Sequence, residues 1–166
     1  MKDDPQKSRN LAAAFAGNIW FTRRNTIFAA VSLALMILLA YSNTFNASWH
    51  FDDEPNIIER RALHLTSLNP EKIYQTLFND GKLYRPVACL SLALNYYFGG
   101  ENVTGYHVVN TTIHFIAAFF LYLLIRRIGT LPSINRKWVG KIHAVALLSA
   151  VLWALNPINT QEVTYN

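Results

Sequence analysis

Asp52, Asp53 and Glu54 stand in a row in the stretch WHFDDEPN, a short way downstream of a long apolar run. Carboxylates beside a membrane suit two kinds of chemistry. One can take the proton of an acceptor hydroxyl as a general base, or several can hold a divalent cation through their oxygens. Further on, Tyr84-Arg85-Pro86 offers a guanidinium, whose planar fork pairs with phosphate through parallel hydrogen bonds. His107, Asn110 and His114 follow at i, i+3 and i+7, which is one face of a helix. Asn156, Asn159, Gln161 and Glu162 crowd the end of the sequence. Together, a carboxylate base and an arginine suit transfer from a lipid-phosphate donor to a hydroxyl acceptor, the arginine stabilising charge on the departing phosphate.

These groups need a membrane scaffold to position them, and the composition supplies one. Of 166 residues, 52% are hydrophobic and 15% charged, against roughly 25% charged in ordinary soluble domains. Three runs carry no charge: Thr26 to Tyr41, Tyr106 to Ile125, and Ile142 to Pro157. Crossing the hydrocarbon takes about 20 residues. The middle run suffices alone, and the outer two suffice once their polar ends enter the headgroup zone. The reading is an all-α polytopic membrane protein with about three transmembrane helices. It comprises a cytoplasmic tail (1–24), spans at about 25–42, 106–128 and 141–156, and a large outer loop (43–105) with short interfacial helices.

Charge sets the orientation. Lys2, Lys7, Arg9, Arg23 and Arg24 precede the first span, and Arg126, Arg127, Arg136, Lys137 and Lys141 separate the second from the third. Short basic flanks stay cytoplasmic, so the acidic loop faces the other side. The membrane flanks account for the net charge of +5, and no nucleic-acid face is inferred. Length and parity both decide Arg85 to Phe98: at 1.5 Å per residue it reaches about 21 Å, short of the roughly 30 Å core, and a span there would put Arg126 to Lys141 outside. It reads as a helix on the outer membrane surface, ended by Gly99 and Gly100. In the same loop, 55–65 reads as a short amphipathic helix. Residues 69–80 read as another, with Asn69 as cap, Pro70 in the first position and Gly81 after its end. Leu11 to Phe21 reads as a separate interfacial helix.

By this topology the acidic cluster, Tyr84-Arg85-Pro86, the His/Asn face and the Asn/Gln/Glu end all reach one side of the membrane. Ionisable groups at depth usually face a bundle interior or a wet cavity, whereas polar residues also join helices as structural links. Both readings stand for His107, Asn110 and His114. Zinc is disfavoured, since no third ligand is spaced near the two histidines. The single cysteine, Cys89, excludes an intramolecular disulfide framework.

Four segments, YSNTFNASWHFDDEPNI, YRPVACLSLALNYYFGG, GYHVVNTTIHF and LNPINTQEVTY, occur in this order and spacing. They resemble the membrane half of the TMTC-type transmembrane, TPR-containing O-mannosyltransferases and their bacterial relatives, within the GT-C superfamily. The resemblance runs from about residue 36 to 166. It implies a polyprenyl-phosphate-linked sugar as donor substrate, a protein Ser or Thr as acceptor, and the lipid bilayer as partner. It implies an acidic catalytic pair at Asp52 and Asp53, with Asp52 as base. Tyr84, Arg85, His107, Asn110, His114, Asn156 and Glu162 then handle lipid phosphate or substrate. No cofactor is assigned with certainty, and a divalent metal on Asp52, Asp53 and Glu54 stays open. Asn156 stands where the family often has a histidine. The active face would be luminal in the endoplasmic reticulum of a eukaryote, or periplasmic at a bacterial inner membrane. The family carries more spans and a TPR region, so the chain reads as the N-terminal part of such an enzyme. A non-enzymatic scaffold or degenerate relative, and a transporter segment lined by His107 and His114, are the alternatives.

Overall fold

A computed structural model describes residues 5–46, 57–79, 82–129, 131 and 141–160. Within these it places the side chains from Arg23 onward, other than Asn46 and Asn79. The chain is an all-α membrane protein. Helix α1 (Pro5–Ala40, 36 residues) is continuous, so the apolar stretch 11–21 is part of the first span's helix and not a separate element. Helices α2 (Pro70–Leu77), α3 (Pro86–Gly99), α4 (Val103–Ile128) and α5 (Ile142–Ala154) follow. Two segments are long and apolar enough to cross a membrane, Arg23–Ala40 and Val103–Ile128. Helix α5 has 13 residues, about 20 Å of rise, and stops short of the expected 156. Its end is local chemistry. Pro157 disfavours a helical conformation at Asn156, which is extended (φ −66, ψ 129) and accepts a bond from Ile158 N, starting a 3-10 turn over Pro157–Asn159.

Burial follows the logic of lipid, not of water. Two compact units divide the chain. In the first (Met1–Met36 and Ala117–Trp153), the buried positions include Ala29, Leu33, Ala118, Tyr122, Ala146 and Ala150, spaced four apart in pairs along their helices. Phe28 and Phe120, by contrast, are each 65% exposed. Helices in a bilayer gain nothing from hiding large apolar side chains, and they pack where small residues let backbones approach. Polar links add to this packing: Tyr122 Oη lies 3.1 Å from His143 Nδ1, and the Arg126 guanidinium donates to Thr26 Oγ1.

The second unit (Ile37–Ile116 and Ala154–Asn166) holds the loop elements. Asn69 caps α2 as expected: its Oδ1 accepts from Lys72 N at 2.8 Å, and Pro70 takes the first helical position. The helix ends at Leu77, not at Asp80. Phe78–Asn79 (β1) is extended and pairs antiparallel with Lys82–Leu83 (β2), Phe78 opposite Leu83. The sequence FNDGKL supplies the reason, because Asp-Gly between two extended segments is a hairpin signal.

The expected helix over 55–65 is corrected as well. Its described part contains a 3-10 turn, Arg61–Leu63, in place of regular α-helix. Tertiary contacts outweigh local periodicity there. Ile57, Leu63 and Leu65 are all buried, the His64 ring stacks on Tyr96 at 4.2 Å, and His64 Nε2 lies 3.2 Å from the Ile57 carbonyl oxygen. Helix α3 ends where the glycines stand. Gly100 takes φ +60, a conformation that glycine adopts at no steric cost. Asn102 Oδ1 accepts from Thr104 N in the first turn of α4.

Candidate functional site

The described site residues fall in the second unit. Tyr84-Arg85-Pro86 forms a strained entry to α3. Arg85 has φ 39 and ψ 55, the only non-glycine residue with positive φ among those described. For an L-residue this conformation costs about 1–2 kcal/mol, and it persists only where neighbours impose it. The neighbours here are Cys89 and Arg60. The Cys89 thiol donates to the Tyr84 carbonyl at 3.2 Å, and Cys89 N bonds the Arg85 carbonyl at 2.9 Å. The Arg60 guanidinium sits 4.9 Å from the centre of the Tyr84 ring, a cation–π distance. Tyr84 and Arg85 remain exposed. No side chain caps α3, which Pro86 opens, so Arg85 stands at the positive end of the helix dipole. A guanidinium beside an uncapped helix N-terminus is a setting that favours an anion.

A second cluster joins three helices. His107, Thr111 and His114 are buried on one face of α4. His114 Nε2 lies 2.9 Å from the Ala154 carbonyl oxygen. A carbonyl only accepts, so that nitrogen carries the proton. Tyr41 Oη donates to the same carbonyl at 2.9 Å, and its ring meets the His114 ring edge-on at 5.5 Å. Ala154 ends α5, where a terminal carbonyl has no intrahelical partner. His114 and Tyr41 supply the partners, so His114 makes a structural link in the described arrangement. Asn110 is half-buried, whereas Asn159 is buried beyond the end of α5. Asn156 is exposed, and its side chain is engaged in starting the 3-10 turn.

Asp52, Asp53, Glu54 and Glu162 lie outside the described residues. The arrangement therefore joins His114 to Tyr41 and Ala154, and presents Tyr84 with Arg85 on a separate exposed turn. Among the described residues, no group of three or more His, Cys, Asp or Glu side chains is arranged to hold a metal. Three contributors went unrecognised in the sequence. Thr111 sits four residues from His107, a spacing that reveals its face. Tyr41 looked like the end of an apolar run, and its partner is 113 residues away. Arg60 carries no local signal linking it to Tyr84.

Protein O-mannosyl-transferase Tmtc1 of Drosophila melanogaster is 30% identical over 135 residues, covering 77% of this chain and 14% of that protein. Protein O-mannosyl-transferase tmtc2 of Xenopus laevis is 31% identical over 140 residues, covering 76% and 15%. The mouse TMTC3 protein is 26% identical over 150 residues, covering 82% and 14%. The chain is a relative of the TMTC-type protein O-mannosyl-transferases. It spans about one seventh of the length of these TMTC-type proteins. No family model matches the chain, and no solved structure matches it.

Proposed function

We propose that this chain forms part of a membrane glycosyltransferase that moves a sugar from a polyprenyl-phosphate donor to a Ser or Thr hydroxyl of a protein. The observation that carries the reading is the match, across about four fifths of the chain, to proteins named for protein O-mannosyl transfer. The strained Arg85 turn supports an anionic donor. In this reading Asp52 takes the acceptor hydroxyl proton, and the acceptor oxygen bonds the sugar's anomeric carbon. The bond from that carbon to the phosphate oxygen breaks, and Arg85 offsets the charge on the leaving polyprenyl phosphate. Asp53 lies beside the base, and oxygen ligation of a divalent cation by Asp52, Asp53 and Glu54 is the other use of the cluster. In this reading Tyr84, His107, Asn110, Asn156 and Glu162 serve donor or acceptor, and His114 positions them through its link to the Ala154 carbonyl. The active face is the non-cytoplasmic one, the endoplasmic reticulum lumen in a eukaryotic cell.

The test is steady-state transfer in membranes carrying the full gene product. Arg85→Gln is expected to lower kcat/KM for the lipid-linked donor about 10- to 100-fold, with KM for the acceptor peptide unchanged. Unaltered donor kinetics in that variant would remove Arg85 from the phosphate.

A further inference from the structure

The first unit holds a cavity of about 260 Å³ that the transfer chemistry does not use. Asn25, Tyr122 and His143 form its polar end, and Phe28, Ala144 and Leu147 its apolar end. Tyr122 Oη lies 3.1 Å from His143 Nδ1 and 3.5 Å from the Asn25 carbonyl oxygen, so three helices share one polar layer. Sequence order gives the cavity a direction. Arg23 and Arg24 precede Asn25, Arg126 and Arg127 follow Tyr122 within about a turn, and Lys141 stands just before His143. Phe28 and Leu147 lie about one turn on the other side of that layer. The Arg126 guanidinium is fixed to α1 through Thr26. The described residues of this unit include no Asp or Glu. Sequence order thus sets basic residues beyond the hydrogen-bonding layer on one side and the apolar lining on the other, on helices that expose large apolar side chains.

That sequence of environments matches one molecule end to end. We propose that the cavity binds an anionic phospholipid, with its phosphate at the arginine and lysine rim and one acyl chain along Phe28, Ala144 and Leu147. Basic pockets between transmembrane helices recruit anionic headgroups, and a guanidinium held in place meets phosphate with little ordering cost. The apolar slot separates this ligand from soluble phosphates, which match the rim alone. The inference does not depend on the glycosyltransferase reading.

The experiment is native mass spectrometry of the full chain in detergent, titrated with phosphatidylglycerol, phosphatidylcholine and glycerol 3-phosphate. Phosphatidylglycerol is expected to bind at least about fivefold more tightly than the other two, and to lose about fivefold for each charge removed in Arg126→Gln and Lys141→Gln. Ala144→Phe keeps every charge and fills the slot. Ala144 is exposed, so the ring displaces no buried neighbour, and a comparable loss is expected. Equal binding of the two lipids, equal binding of glycerol 3-phosphate, or unchanged binding in Ala144→Phe would overturn the proposal. Phosphatidylglycerol with a photoreactive acyl chain provides an independent check on the unaltered protein. Cross-links concentrated at 25–29 and 143–147 support the site, and cross-links spread evenly over the lipid-facing residues contradict it.

Discussion

The left-handed turn at Arg85 and the bond from Tyr41 to the Ala154 carbonyl are not written in local sequence. A left-handed residue is usually glycine or asparagine, so an arginine before proline gives no sign of φ 39. If the turn is strained to aim the guanidinium, stability and function separate there. Arg85→Gly is expected to raise thermal stability by about 1 kcal/mol in a detergent melting experiment, while transfer falls. A variant less stable than the parent would show that the turn carries no strain. Tyr41→Phe keeps the ring beside His114 and removes one bond to the Ala154 carbonyl. A loss of about 0.5–1.5 kcal/mol is expected, with His114 still bonded to that oxygen. The His107–His114 face was legible by residue type and spacing, whereas the turn at Arg85 was not, since that residue reads as the first of a helix. Tyr41 and Arg60 were not, because their partners are set by packing between distant segments.

The capped helix start in the loop was more legible than the helix end. Asn69-Pro70 marked the start of α2 because capping uses only adjacent atoms, and Asn69→Ala is expected to cost about 1 kcal/mol in the same melting experiment. The stretch 55–65 misled because its apolar spacing is helical while its contacts, the His64–Tyr96 stack above all, hold a different path. The Asp-Gly turn signal after α2 was present and was read as a helix stop, not as a hairpin. Between α4 and α5, Gly129 is buried, and a Cβ built on it would overlap the Ile142 side chain. Gly129→Ala is therefore expected to destabilise the protein by about 1–3 kcal/mol. Ile142→Ala in the same chain should recover part of that loss, and purely additive losses would show that the two positions do not meet.

At the scale of the whole molecule, the all-α membrane character was legible because a bilayer demands long uncharged helices, and α4 coincides closely with the second apolar run. Apart from the His107–His114 face, the helices' packing faces were not predicted, since every side of such a helix is apolar and only small or polar residues mark the contacts. The orientation drawn from the basic flanks predicts that Thr66→Cys, in the outer loop, reacts with a membrane-impermeant thiol reagent from the non-cytoplasmic side. A Cys89→Ser background suits this test, because serine keeps a donor toward the Tyr84 carbonyl. The central claim, that this chain contributes a general base to sugar transfer, is tested most directly by one comparison. Transfer of labelled mannose from polyprenyl-phosphate mannose to a Ser/Thr peptide would be measured in membranes carrying the full gene product, parent against Asp52→Asn. The account predicts a fall of about 100-fold or more in the variant at equal protein level, and equal transfer by the two would contradict it.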